Sequence, residues 1–122
     1  MFEYYNANPR NRRVNDCTVR AISLATGRSW DETFEELSKF AQIQAIMPDD
    51  VTYIDEYLEE NFEKICGCKN KIRISVGDFV KEHPTGIYLI TMNGHITCCI
   101  DGIIYDTFNP KDRFVWGAYK VR

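Results

Sequence analysis

Long hydrophobic runs are missing from this sequence, and so are the features of an exported or membrane protein. No apolar stretch approaches the roughly 20 residues that a membrane-spanning helix needs. The opening residues, MFEYYNANPRNRR, lack the apolar segment of a signal peptide. We therefore expect a cytoplasmic protein without a membrane partner. Repeats, low-complexity tracts and flexible linkers are also lacking, which predicts a single domain over residues 1–122.

The cysteines do not suit a disulfide framework. The chain has five of them, an odd number, so they cannot all pair with one another. In a reducing compartment such cysteines are free, bound to metal or catalytic. Cys66 and Cys68 resemble half of a zinc site, but His83 has no motif spacing and Cys98 and Cys99 point to opposite faces of a predicted strand. We therefore expect no metal and no cofactor.

The charge pattern excludes a common class of partner. The net charge is −3, and no basic patch is interleaved with aromatic residues, so we expect no nucleic acid partner. Residues 31–63 carry eleven Asp or Glu against Lys39 alone. This acidic block fits two amphipathic helices with solvated faces, or an acidic surface that selects a basic partner.

Helical patterns fill the first half of the chain. An N-terminal loop of about a dozen residues is followed by a predicted helix that Asn15 or Asp16 caps and that Gly27 ends. Ser29 and Glu32 form a capping box for a second helix. A third helix is expected to start at residues 48–50. The second helix is predicted to bury Phe34, Leu37 and Ala41, and the third Val51, Ile54, Leu58 and Phe62.

Strand patterns fill the second half. After a predicted loop over residues 64–70, short strands are expected at residues 72–76, 87–92, 96–100, 103–108 and 114–121, with one helical turn near residues 77–82. Asn93-Gly94 and Asp101-Gly102 are strong hairpin turns. Helices first and a sheet afterwards indicate an α+β fold.

Cys17 is the candidate nucleophile. It falls in the first turn of its predicted helix, where unpaired N–H groups and the helix dipole favour a thiolate. The alternative is a small buried side chain that packs in the core.

The hairpin turns bring a histidine and a carboxylate together. If Asp101-Gly102 is a two-residue turn, Asp106 lies opposite Thr97, on the face that also carries His95. Diagonal neighbours on one face are within reach of a hydrogen bond. His95 is therefore the candidate base and Asp106 the residue that orients it. Asn109 is a competing third member, but by the same parity it points to the other face.

These residues also resemble a known family. The strings NDCTVRAIS and NGHITCCIDGIIYDTFN resemble the small papain-like cysteine peptidases of bacteria and their phages. The resemblance implies one papain-like domain in which N-terminal helices pack against a C-terminal antiparallel sheet. It implies that Cys17, His95 and Asp106 are catalytic. In papain the oxyanion glutamine stands where this chain has Asn11, so the resemblance gives that role to Asn11, with Asn15 as the alternative.

The sequence thus predicts a thiol hydrolase that cleaves a peptide or isopeptide bond in a peptide or protein substrate. Two alternatives stay open. The first is a related acyl transferase or deamidase, because the acceptor that reaches the acyl-enzyme decides the outcome. The second is a non-catalytic binding module on a papain-like scaffold, since a fold does not by itself confer an activity.

Overall fold

The structure is a computed structural model that describes residues 1–47, 54–67 and 74–122. Within these residues the chain has an α+β architecture, with four helices and one six-stranded sheet. The elements are β1 (Phe2–Tyr4), α1 (Cys17–Thr26), α2 (Trp30–Gln44), α3 (Ile54–Asn61), β2 (Glu63–Gly67), α4 (Val76–Glu82), β3 (Ile87–Met92), β4 (His95–Ile100), β5 (Ile103–Asp106) and β6 (Gly117–Lys120).

Local signals account for the end of the first helix and the start of the second, as predicted. α1 begins directly after Asp16 and ends at Gly27, which takes the left-handed conformation with φ 74°. At the start of α2, the Ser29 hydroxyl accepts the Glu32 N–H at 3.0 Å, and the Glu32 carboxylate accepts the Ser29 N–H at 3.0 Å. The predicted capping box is therefore formed. The predicted start of the third helix, at residues 48–50, lies outside the described residues.

The sheet has the strand order β1-β5-β4-β3-β6-β2. Both predicted hairpins form: His95 pairs with Met92, and Ile103 with Ile100. Positive φ angles at Asp101 and Gly102, 48° and 80°, close the second hairpin with a two-residue turn. β1 runs parallel to β5, so the sheet is mixed, and the prediction of a purely antiparallel sheet is wrong.

Several other element boundaries differ from the prediction. Residues 2–4, predicted as loop, form β1 because β5 offers an open edge to them. Residues 63–67 form β2 against β6, although their sequence lacks the alternation of a half-buried strand. Ser75 caps α4 by accepting the Asp78 N–H at 3.1 Å, so the helix begins at residue 76, where the predicted strand would end, and Ser75 keeps only a single bridge to Phe114. Residues 72–73 of the predicted strand lie outside the described residues. The last two strands are shorter than predicted, β5 ending at Asp106 and β6 spanning Gly117–Lys120.

The helices cover both faces of the sheet. α1 packs across β4, and its Ala21, Ile22 and Ala25 join Ile96 and Cys98 in one core. α4 covers the opposite face, where Val76, Phe79 and Val80 pack against residues that include Cys99 and Ile104. Cys98 and Cys99 lie in different cores, as the alternation along the strand predicted. This packing places the beginning of α1 beside the beginning of β4.

Candidate active site

Cys17 is the first residue of α1 and is half-buried. The helix begins here, so the first-turn N–H groups have no partner within the helix. Asp16 occupies the N-cap position, but its side chain does not accept a capping hydrogen bond. The sulfur therefore lies at the positive end of α1, where a negative charge is stabilised.

His95 and Asp106 form a buried hydrogen-bonded pair. His95 opens β4 directly after the Asn93-Gly94 turn, and Asp106 is the last residue of β5. The His95 Nε2 and Asp106 Oδ2 atoms are 2.7 Å apart, and the two side chains are 7% and 3% exposed. The register of β4 and β5 pairs Cys98 with Tyr105. One residue further along each strand, the same register sets Asp106 beside Thr97. The turn parity in the sequence predicted this arrangement.

Cys17 lies beside His95 on the same cleft, and the two side chains interact. Nε2 of the ring is engaged with Asp106, so this contact falls to Nδ1. Burial by itself would raise the pKa of the Cys17 thiol, but the hydrogen bond and the charge of His95 outweigh it. The Ile96 N–H and the Arg20 charge act in the same direction, and the pKa of Cys17 is lowered.

The pKa of His95 is shifted in the opposite direction, upward. Burial would lower the pKa of His95, but the hydrogen bonds with Asp106 and Cys17 outweigh burial and raise it to about 9. A thiol with a lowered pKa beside an imidazole with a raised pKa favours the thiolate–imidazolium pair. Such a pair is the reactive form of a cysteine nucleophile.

The second oxygen of Asp106 is held from two sides. The Thr107 N–H donates to Oδ1 at 2.7 Å, and Arg20 Nη1 donates to the same oxygen at 3.3 Å. Burial would raise the pKa of Asp106, but the hydrogen bond from His95 and the other donors outweigh it and lower that pKa. Asp106 therefore carries a full negative charge beside the ring.

Sequence reasoning missed Arg20 and Asp16 as parts of this site. Arg20 Nε donates to Asp16 Oδ1 at 2.7 Å, while Trp30 Nε1 and Asn8 Nδ2 donate to Asp16 Oδ2 at 2.9 and 3.2 Å. The spacing of Asp16 and Arg20 along a helix was the available signal, since side chains four positions apart are neighbours.

An aromatic side chain covers the imidazole. The rings of Phe108 and His95 have centroids 4.7 Å apart, and the Arg113 guanidinium lies 5.2 Å from the Phe108 centroid. Arg113 also donates to the Asn93 carbonyl at 3.4 Å, across the turn that precedes His95. These contacts limit the access of water to the His95–Asp106 pair from that side.

A cleft of about 510 Å³ opens beside Cys17 and His95. Its wall is mostly apolar. The apolar lining residues include Val14, Val19, Trp30, Phe34, Leu37, Ile54, Met92, Ile96 and Trp116. Trp30 and Phe34 stack on one wall with centroids 5.1 Å apart. Phe34, predicted to be buried, is 43% exposed because it faces this opening instead of the core.

The two candidate oxyanion residues are placed differently. Asn15 lines the cleft together with Cys17. Asn11 does not line it; this exposed residue has a left-handed backbone with φ 53°, and its N–H donates to the Asn8 carbonyl at 2.9 Å. The structure thus brings together Cys17, His95 and Asp106, and it leaves Asn11 outside the group.

Selective alkylation is the first measurable consequence. At pH 7 we expect iodoacetamide to modify Cys17 at least about ten times faster than Cys98 or Cys99, because thiolates react and thiols do not. Burial, the largest cause in both, raises the pKa of Cys98 and of Cys99. Peptide mass spectrometry after short exposures gives the three rates, and unfolding in urea is the control that should equalise them. Equal rates in the native protein would contradict an activated Cys17.

No group of three or more metal-ligating side chains is placed to hold a metal ion in the described parts of the chain. Cys68 lies outside the described residues. Nor does any helix among residues 1–47, 54–67 and 74–122 have the length and apolar character to cross a bilayer. Comparison with known proteins found no matching family model, no similar curated protein and no similar solved structure.

Proposed function

We propose that this chain is a thiol hydrolase of the papain-like kind, one domain that cleaves a peptide or isopeptide bond. The observation that carries the proposal is the grouping of Cys17 and His95 on one cleft, with the buried Asp106 carboxylate hydrogen-bonded to the His95 ring. A nucleophile, a base and an orienting group in that order are the parts that acyl transfer from an amide requires. A buried structural cysteine would need neither partner.

In the proposed reaction, the Cys17 thiolate attacks the carbonyl carbon and His95 holds the proton on Nδ1. The tetrahedral intermediate collapses as this proton passes to the leaving amine, which leaves a thioester on Cys17. His95 then removes a proton from water, and the resulting nucleophile attacks the thioester carbonyl. The carboxylic acid departs and the thiol is restored. Asp106 keeps Nε2 protonated, so Nδ1 is free to exchange the proton at each step.

The carbonyl oxygen becomes negatively charged during the attack and needs donors. The Cys17 N–H at the start of α1 has no partner within its helix and is one candidate donor. We assign the second donor to the Asn15 side chain instead of Asn11, because only Asn15 lines the cleft. No metal or organic cofactor is part of this mechanism.

The cleft suggests which substrates fit. Trp30, Phe34, Met92 and Trp116 line it together with the nucleophile. An apolar wall binds apolar groups because water is released from both surfaces. We therefore propose that the residue next to the scissile carbonyl has a large apolar side chain.

Fluorogenic peptide amides test the proposed function. We expect turnover of substrates with Phe or Leu at the acyl position, at least about tenfold faster than with Asp, in line with the burial of an apolar side chain. Cys17→Ser is the matched control and should abolish turnover. Intact-mass analysis should reveal the thioester on Cys17, and added hydroxylamine should capture the acyl group.

The remaining outcomes separate the alternatives. A thioester that forms but passes to amines in preference to water would identify an acyl transferase. Release of ammonia from glutamine side chains would identify a deamidase. The absence of any acyl-enzyme, together with an unreactive Cys17, would contradict the proposal and favour a binding module.

A further inference from the structure

Arg20 lies between two carboxylates that belong to different parts of the fold. Its Nε is 2.7 Å from Asp16 Oδ1, and its Nη1 is 3.3 Å from Asp106 Oδ1. Nη1 is also 3.2 Å from the Thr107 hydroxyl. The side chain is only 11% exposed, while those of Asp16 and Asp106 are 6% and 3% exposed. A single cation thus connects the start of α1 with the end of β5.

The side chain of Asp16 is used in an unusual way for its position. An aspartate at an N-cap ordinarily accepts a hydrogen bond from the first turn of its own helix. Asp16 makes no such bond and gives its two oxygens to Arg20, Trp30 and Asn8. A local capping contact has been replaced by contacts that reach the catalytic group and the cleft wall. Departures of this kind from local preference are expected at functional sites.

We propose that Arg20 is a positioning residue: it fixes the Asp106 carboxylate against His95 and, through Asp16, joins this pair to the Trp30 wall of the cleft. The inference rests on the proposed function for its catalytic meaning. Its geometric part, the orientation of Asp106 toward His95, can be tested even if Cys17 is not a nucleophile.

The geometry explains why the arginine matters to the aspartate. Asp106 Oδ1 accepts from Arg20 and from the Thr107 N–H, and this leaves Oδ2 directed at His95 Nε2. Without Arg20, the N–H and hydroxyl of Thr107 would still hold Oδ1, at 2.7 and 3.5 Å, but two buried carboxylates would lose their shared cation. A planar guanidinium can donate to both carboxylates at once, whereas the ammonium of a lysine is a single point of charge. Arg20→Lys should therefore keep only part of the positioning of Asp106 that Arg20 provides.

Two measurements on Arg20→Gln test this inference. The first is the proton nuclear magnetic resonance signal of the His95 Nε2–H, which a short hydrogen bond to a carboxylate shifts downfield and protects from exchange with water. The second is the rate of Cys17 alkylation by iodoacetamide at pH 6. We expect the protected signal to be lost and the rate to fall about tenfold, which corresponds to one unit in the pKa of the thiol. Arg20→Lys should lie between parent and Arg20→Gln in both.

Arg28→Gln is the matched control. Arg28 forms an ion pair with Glu36 at 2.7 Å and contributes nothing to the lining of the cleft, so both readouts should keep their parent values. Alkylation of buried Cys98 in the same samples reports unfolding. If Arg20→Gln exposes Cys98, the His95 signal and the Cys17 alkylation rate in Arg20→Lys decide whether Arg20 has a positioning role.

The possible failures point to different conclusions. A folded Arg20→Gln protein with an unchanged His95 signal and an unchanged Cys17 rate would overturn the positioning role. A loss of thermal stability alone would identify Arg20 as a structural connection between α1 and β5. That result would also overturn the positioning role. A parent protein whose Cys17 reacts no faster than an ordinary thiol would refute the proposed function. In that case the His95 signal alone decides the role of Arg20.

Discussion

Replacing His95 with alanine is expected to slow the alkylation of Cys17 at pH 6 by about a hundredfold. An unperturbed thiol with a pKa of about 8.5 has well under one per cent thiolate at this pH. In the parent protein, the hydrogen bond and the charge of His95 are the largest of the causes that lower the pKa of Cys17 against its burial. Without the ring, burial would dominate, and the thiol would stay protonated. The rate of Cys17 modification between pH 5 and pH 9 measures this directly.

The other histidine of the chain provides the control. His83 follows α4, where its Nδ1 contacts the Phe79 carbonyl at 2.9 Å and its ring stacks on Phe79 at 4.0 Å. It does not line the cleft, so His83→Ala should leave the rate profile of Cys17 unchanged. A parent profile that already has an ordinary thiol pKa, and that neither substitution alters, would mean that Cys17 is structural.

The sequence was sufficient for the parts of the site that depend on local rules. Alternation along strands and a two-residue turn place His95 and Asp106 on one face whatever surrounds them. The position of Cys17 in the first turn of α1 follows from the helical pattern in the same way. The α+β class could be predicted for a similar reason, because the order of helical and strand patterns is a property of the sequence alone.

Most of the missing parts depend on contacts between distant segments. β1 is a strand only because β5 is beside it, and β2 only because it pairs with β6. Arg20 contacts Asp106, a residue 86 positions away along the chain. The spacing of Asp16 and Arg20 is a local signal for their ion pair, but nothing local indicates that Arg20 also reaches Asp106. The sequence left the wall of the cleft undecided, because Trp30 and Phe34 have a helical spacing that is equally typical of a core.

Asp106→Asn is expected to inactivate Cys17 almost as strongly as the loss of His95, even though the substitution keeps the shape of the side chain. Arg20 and the Thr107 N–H both donate toward Oδ1, so the introduced amide would place its oxygen there and its NH2 toward His95. Nε2 would then have to accept a hydrogen bond, and the ring proton would move to Nδ1. A ring protonated on Nδ1 cannot take the proton of the thiol. We expect the Cys17 alkylation rate at pH 6 to lie within a few-fold of the His95→Ala rate.

The same substitution should also destabilise the fold. β5 lies between β1 and β4, and the Asp106 side chain is only 3% exposed. Removing one partner from a buried ion pair costs roughly 3–5 kcal/mol in the free energy of unfolding. Urea unfolding of the two proteins near pH 5.5 measures this cost. Asp112→Asn, at an exposed position, is the control and should have little effect.

The pH dependence of this difference identifies its electrostatic origin. The pKa of Asp106 is lowered on folding, so its stabilising contribution is present above about pH 4 and is lost as the pH falls through the folded-state value. The pKa of His95 is raised to about 9, so its contribution is complete below its unfolded value and is lost as the pH rises through 9. The stability difference between parent and Asp106→Asn should therefore be largest between about pH 4 and 6.5 and decrease on both sides. A difference that stays constant from pH 3 to pH 10 would show that packing, and not the Asp106–His95 charge pair, accounts for the loss.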